Sequence, residues 1–222
     1  MKLRTFLLAL PFLPLAAFGQ AVPKSLASVT DEPGLPRVLL LGDSISIDYT
    51  APVRELLKGA ANVHRIPENG AATREGLAKL DGWLGSGKWD VIHFNWGLHD
   101  LAHRQGGKLD IVGPQAVPVA LYEKNLRELV ARLERTGAKL IFATTTPVPE
   151  GAPGRFAGKE IAYNTAARRV MTEAHVAIND LHAAVRDQSE TLQKPKDVHF
   201  KKEGSALLAE KVAEAIRAQF PR

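Results

Sequence analysis

From residue 37 onward, short apolar runs alternate with segments of helical periodicity. Residues 37–41 read Arg-Val-Leu-Leu-Leu and end at Gly42. An apolar run without polar alternation predicts a strand buried on both faces. Residues 62–66 and 89–95 predict a second and a third strand, 139–144 a fourth, and 175–178 a short fifth. Between them, residues 51–59, 72–84, 114–136 and 159–174 predict helices, and 181–191 and 202–219 predict two more. Leu77, Leu80 and Leu84 recur at near-helical spacing, and Leu121, Leu126, Leu129, Val130 and Leu133 mark one face of the helix that Gly137 stops. Strands alternating with helices of this length predict an α/β fold, a five-stranded parallel sheet with helices on both faces.

The start of the chain departs from this pattern. Met1, Lys2, Leu3 and Arg4 form a short basic opening, and residues 5–18 are apolar but broken by Pro11 and Pro14. Small residues follow as far as Ala21. The layout predicts a secretory signal peptide over residues 1–19. A bilayer span wants about 20 apolar residues, so no stable membrane insertion is expected after cleavage. Residues 20–36, with Pro23, Pro33, Gly34 and Pro36, read as a linker. Residues 37–222 then form one domain, expected to be secreted or periplasmic.

Composition narrows the chemistry. A length of 222 residues, 45% of them hydrophobic and 24% charged, suits one globular domain. The chain has no cysteine, which excludes disulfides, thiolate metal sites and a cysteine nucleophile. The 29 basic and 24 acidic residues leave a net charge of +5, of which Lys2 and Arg4 in the leader carry two. No run of five basic residues occurs, so no nucleic-acid partner is expected.

In open parallel sheets the reactive groups gather beyond the carboxyl ends of the strands. The first strand runs into Gly42-Asp43-Ser44-Ile45-Ser46. A serine at a sharp strand-to-helix turn presents its hydroxyl at the mouth of the sheet, where helix N–H groups face developing negative charge. Ser44 is the candidate nucleophile, and Ser46 reads as a helix cap. The second strand ends near Asn69-Gly70 and the third in Asn95-Trp96-Gly97-Leu98-His99-Asp100. Before the last helix stand Asp197, Val198 and His199. An imidazole takes a serine proton, and a carboxylate orients the ring and steadies its cationic form. Trp96, beside the reactive block, is the candidate platform for a sugar ring or acyl group. The long connection over residues 102–119 is expected to wall the cleft, with residues 147–158 as the opposite wall.

Other patterns carry less. Residues 82–88 begin like a phosphate loop, but Trp89 stands where a Ser or Thr is needed, and the segment precedes a strand. His99 and His103 lie four apart without accompanying carboxylates at ligand spacing, so no metal is expected. His93, inside the third strand, reads as a packed histidine, and His64, His175 and His182 as structural. Asp43 and Asp100 are expected to tie loops together.

Four blocks in order, Gly42-Asp43-Ser44, Asn69-Gly70, Gly97-Leu98-His99-Asp100 and Asp197-Val198-His199, resemble those of the SGNH hydrolases, the GDSL-type esterase and lipase family. The likeness spans roughly residues 37–220. It implies a flavodoxin-like three-layer sandwich with strand order 2-1-3-4-5 and ester hydrolysis without metal or cofactor. It also implies an oxyanion hole built from the backbone N–H groups of Ser44 and Gly70 and a side-chain donor. The family's third block is usually Gly-x-Asn-Asp, whereas this chain has His99 in place of the asparagine. His99, Asn95 four residues earlier, or backbone groups alone are the open alternatives. The family commonly has Asp-x-x-His, whereas here Lys196 fills the minus-three position and Asp197 stands at minus two. Either Asp197 completes a triad or the site is a Ser–His dyad.

The expected function is an exported serine esterase acting on short-chain esters, acetyl above all, of a small molecule or polysaccharide. A lysophospholipase or thioesterase of the same fold is one alternative. A carbohydrate-binding protein with impaired catalysis is another, motivated by His99 and the shifted Asp197.

Overall fold

Apolar side chains on both faces of a strand need cover on both sides, and the chain supplies it with two layers of helices. The computed structural model describes residues 23–220. Strands β1 (Arg37–Leu41), β2 (Asn62–Arg65), β3 (Val91–Phe94), β6 (Lys139–Ala143) and β7 (Ala177–Asn179) form one sheet, in the order β2-β1-β3-β6-β7. Every pairing in it is parallel, and Leu40 of β1 sits between Arg65 of β2 and His93 of β3. Val38, Leu39, Leu40 and Leu41 are all buried, as an uninterrupted apolar run requires. Counted within this sheet the order is 2-1-3-4-5, as the resemblance implied.

The remaining strands, β4 (Arg104–Gln105) and β5 (Lys108–Leu109), form a small antiparallel hairpin inside the 102–119 connection. Its turn is Gly106-Gly107, both at positive φ (56° and 81°), which suits a two-residue hairpin turn.

The helices are α1 (Ser44–Leu56), α2 (Thr73–Leu84), α3 (Val119–Glu134), α4 (Glu160–Glu173), α5 (Leu181–Val185), α6 (Ser189–Leu192) and α7 (Lys202–Arg217). Helix α7 packs on α1 and α5, while α3 packs on α2 and α4. These two groups make the outer layers of the sandwich.

Four predicted elements differ in detail. Helix α1 begins at Ser44, not at residue 51, because its buried face is partly polar: Ser46, Tyr49 and Thr50 turn inward with Ile45 and Val53. Apolar periodicity is blind to such a face. Helix α3 begins at Val119, because the residues before it are tied to the preceding loop, with Ala116 N–H donating to Ala102 and Val117 N–H to Asp100. Leu121 is 47% exposed, and Tyr122 takes its place on the buried face with Leu126, Leu129 and Leu133. Residues 181–192 break into α5, a 3₁₀ turn over Arg186–Gln188, and α6, since three polar residues interrupt any continuous apolar stripe. The fifth strand starts at Ala177, because Val176 N–H still donates to Met171 at the end of α4 and His175 adopts a positive φ of 54°.

The signal peptide read over residues 1–19 lies outside the described residues. Residues 23–36 lie against the β2 side of the fold. The Arg54 guanidinium donates to the Lys24 carbonyl at 2.6 Å, and the Asn62 side chain bonds the backbone of Glu32 at 2.8 and 3.0 Å. Among the described residues no helix is long and apolar enough to cross a membrane. Trp83 and Trp89 are buried: Trp83 Nε1 donates to Glu68 at 3.0 Å, and the Arg37 guanidinium lies 4.1 Å above the Trp89 ring.

Candidate active site

The reversal of connection direction between β1 and β3 opens a crevice at their carboxyl ends, and the Ser44 turn occupies it. Asp43 caps α1 by accepting the Ile45 N–H at 3.0 Å, and its carbonyl accepts the Ser46 hydroxyl at 2.7 Å. Ser44 is therefore the first residue of the helix, and among the described residues its N–H has no acceptor. Ser46 is buried in the cap, away from any nucleophilic role. Gly42 leaves no room for a side chain, since a Cβ there would lie 2.9 Å from Ser46 Oγ.

A buried arginine from β2 holds this turn. Arg65 Nη2 donates to the carbonyls of Gly42 (2.8 Å) and Asp43 (3.1 Å) and to Ser46 Oγ (2.9 Å), while Nη1 donates to Ile66 (2.8 Å) and Glu68 (2.6 Å). Burial pulls its pKa down to about 10, which still leaves it charged near neutrality. Sequence reasoning passed over Arg65, the last residue of β2.

His199 meets Ser44 across 155 positions of sequence: Nε2 lies 2.8 Å from Ser44 Oγ. Its Nδ1 lies 2.7 Å from Asp197 Oδ1, and the same oxygen accepts the His199 backbone N–H at 3.1 Å. The minus-two spacing works because residues 193–200 fold back on themselves. Lys194 N–H donates to His199, Asp197 N–H donates to Lys194, and Lys196 takes a positive φ of 55°. Burial pushes the Asp197 carboxyl up, but hydrogen bonds from His199 and the charges of His199 and Lys194 outweigh it. The net position is below the ordinary carboxylate value. Such a row can pass the serine proton to the ring while the carboxylate stabilises the imidazolium.

His99 lines the same cleft, of about 490 Å³, as Ser44, Asn69, Asp197 and His199. Burial pulls its pKa down; Arg155 and Arg104 act in the same sense, while Asp43 and Glu75 oppose it. The ring is neutral near pH 7, with one N–H to donate, and among the described residues no acceptor holds it.

Three expected site residues fall elsewhere. Gly70 N–H already donates to the Gly42 carbonyl at 2.9 Å, so it does not face the cleft as a free donor. The next N–H, of Ala71, donates to Asn69 Oδ1 at 2.9 Å, and Ala71 holds a positive φ of 47°. Asn95 turns its amide to the Ala143 carbonyl at 2.7 Å, between β3 and β6. Trp96 is fully buried; its indole donates to the Gly70 carbonyl at 3.1 Å, and its ring fills the space left by Gly76. It offers no platform to a substrate.

Asp100 ties loops as expected. Its Oδ1 accepts both the Thr73 N–H (2.9 Å) and the Thr73 hydroxyl (2.5 Å). Burial raises its carboxyl to about 7 against those hydrogen bonds. His93 is fully buried with Asn179 Nδ2 at 3.2 Å, and burial pulls its pKa down to about 3. Residues 102–119 and 147–158 do not face each other across the cleft. His103 N–H donates to the Gly154 carbonyl at 2.7 Å, so the two loops make one continuous wall that carries Arg104, Leu109, Pro153 and Arg155. Asn69 and residues 195–199 also line the cleft, with Lys196 packed beside Gly151. Arg104 and Arg155 lie on the two segments expected to wall the cleft, though neither they nor Lys196 was singled out. A larger hollow of about 660 Å³ lies at the opposite end of the sheet, near Pro36, Asp90, Lys139 and Phe220, far from Ser44 and His199.

A family model described as GDSL-like Lipase/Acylhydrolase family matches residues 40–207. No curated protein matches the sequence. Solved structures of similar fold include an acetyl xylan esterase, AlAXEase, at 17% identity and TM-score 0.68, covering 81% of this chain and 99% of that one. The lipase/acylhydrolase from Enterococcus faecalis is 19% identical with TM-score 0.71, covering 84% and 98%. Axe2, an acetylxylan esterase from Geobacillus stearothermophilus, is 21% identical with TM-score 0.65, covering 82% and 94%.

Proposed function

Because the chain belongs to the GDSL-like lipase/acylhydrolase family, we propose that it is a serine esterase removing short acyl groups, acetyl above all, from carbohydrate. The observation that carries this reading is the row Ser44 Oγ–His199 Nε2 at 2.8 Å and His199 Nδ1–Asp197 Oδ1 at 2.7 Å.

In the mechanism, Ser44 Oγ attacks the ester carbonyl carbon while His199 Nε2 takes the hydroxyl proton. Negative charge forms on the carbonyl oxygen, and the Ser44 N–H and the His99 ring N–H stabilise it. The tetrahedral species collapses, the C–O bond to the alcohol breaks, and His199 returns the proton to the departing oxygen. Water then attacks the acyl-serine, His199 takes its proton, and the carboxylic acid leaves as Ser44 recovers its own. Asp197 holds the ring tautomer and the cationic state throughout. No step needs a metal or cofactor.

A short acyl group is supported by two structures of similar fold, AlAXEase and Axe2, which are acetyl xylan esterases. The exposed Leu109, Ile111 and Val112 near the cleft wall favour, as a second reading, longer acyl chains such as those of lysophospholipids or thioesters. The reach of Asp197 to the ring supports a catalyst over a binding-only protein. The leader over residues 1–19 supports export, and mass measurement of the mature N-terminus tests it.

A fluorophosphonate probe mapped by mass spectrometry tests the chemistry. Stoichiometric labelling of Ser44 that vanishes in Ser44→Ala is the expected result; an unlabelled wild type overturns the reading. Rates on acetyl and decanoyl 4-nitrophenyl esters separate the two substrate classes.

A further inference from the structure

The Ser44 cleft holds three cations, Arg104, Arg155 and Lys196, against one carboxylate, Asp197, which is engaged with His199. Among the described residues none of the three cations forms an ion pair. Elsewhere on the surface, Arg37, Arg127, Arg132, Arg168 and Arg169 each meet a carboxylate.

Arg155 is the most unusual of them. It is only 8% exposed. Nε donates to the Leu98 carbonyl at 2.9 Å and Nη1 to the Pro153 carbonyl at 3.2 Å, which fixes the plane of the guanidinium. Nη2 donates to nothing among the described residues, although the side chain lines the cleft. Arg65, buried to the same degree, directs both terminal nitrogens at protein acceptors. Asp43 and Asp197 are the carboxylates whose charge reaches Arg155, but neither pairs with it, and a buried cation without a paired carboxylate is costly unless something supplies one. Arg104 stands on the same wall, its Nη1 donating to Gly107 at 3.0 Å and its other terminal nitrogen free among the described residues. Both arginines line the same cleft as His99, the side chain assigned to the oxyanion.

We propose that Arg155 and Arg104 form an anion subsite of the cleft, and that the preferred ester carries a carboxylate close to the scissile bond. The proposal rests on the esterase reading above and names its substrate class. A guanidinium pairs a carboxylate through two parallel N–H···O bonds, and a wall that excludes water strengthens the pairing. The carboxylate has two possible sources. It belongs either to the alcohol side, as in an acetylated uronic-acid glycan, or to the acyl side, as in a hemisuccinate ester.

The test measures kcat/KM for two pairs of esters with the full-length mature enzyme. One pair is acetylated galacturonic-acid oligosaccharide against acetylated xylo-oligosaccharide; the other is 4-nitrophenyl hemisuccinate against 4-nitrophenyl acetate. One anionic member is expected to exceed its neutral counterpart by about tenfold or more, mainly through KM, and the winning pair identifies the source. In Arg104→Gln and in Arg155→Gln that ratio is expected to fall by about tenfold, with partial recovery in the lysine variants. The ratio cancels any general loss of folded enzyme, and a purely structural role for Arg155 beneath Leu98 would leave it unchanged. Equal rates within both pairs, or ratios insensitive to all these variants, overturn the subsite while the esterase stands. Absence of Ser44 labelling and of any hydrolysis would overturn both.

Discussion

Asp197 reaches the ring of His199 from only two residues upstream, with Oδ1 2.7 Å from Nδ1. The same oxygen accepts the His199 backbone N–H. A carboxylate so near in sequence makes this contact only because Lys196 takes a positive φ and reverses the chain. The ring is thereby held by the loop it belongs to, and Ser44 is delivered to it by the first strand of the sheet.

On the proposed mechanism, Ser44→Ala lowers kcat by about 10⁴-fold or more. Asp197→Asn leaves the side-chain shape but offers the wrong partner to Nδ1–H, and lowers kcat by about 10²–10⁴. Steady-state kinetics on 4-nitrophenyl acetate check both, and an Asp197→Asn enzyme with wild-type kcat would remove Asp197 from the triad.

His99→Ala removes one oxyanion donor and lowers kcat by about 10²–10³, with KM little changed. His99→Asn restores an N–H donor of similar reach and recovers most of that loss. Its pKa lies below the usual histidine value, so the wild-type ring stays a neutral donor at pH 7. Equal kcat in the alanine and asparagine variants would argue against the assigned role.

Asp100 titrates at about 7 in the folded protein, far above its ordinary 3.8. Between those values the folded state binds more protons than the unfolded one, so stability falls as pH rises. The contribution is full below about 4 and lost once pH passes about 7. Thermal unfolding from pH 4.5 to 8 is expected to show a steeper decline for wild type than for Asp100→Asn, which retains an acceptor for Thr73. Parallel profiles would show that Asp100 is not the group responsible.

Arg65→Ala removes donors from four carbonyls and one hydroxyl at the base of the Ser44 turn. Unsatisfied buried acceptors cost about 1–3 kcal/mol each before relaxation and water entry. The net expectation is a loss of roughly 2–4 kcal/mol in urea unfolding, with a fall in kcat in the fraction that stays folded.

For Gly70 and Asn95 the sequence reading erred because a partner distant along the chain saturates the group. Gly70 was named for its N–H, but the Gly42 carbonyl takes it. Asn95 was named for its amide, but Ala143 on the neighbouring strand takes that. Trp96 was named for its place beside the reactive block, yet an absent side chain at Gly76 makes room for the ring in the core. The helix carrying Ser44 was read seven residues late because its inner face uses Ser46, Tyr49 and Thr50.

The apolar runs of 37–41 and 89–95, the helices between strands, and the serine and histidine that follow or precede them were all legible along the chain. Burial periodicity and turn chemistry are local properties, written in neighbouring residues. The closing of Ser44 on His199 across 155 positions, the reach of Asp197, the retirement of Gly70, Asn95 and Trp96, and the unpaired guanidinium of Arg155 were settled by packing. Whether a donor is free depends on which distant acceptor the fold brings to it, and spacing along the chain does not carry that information.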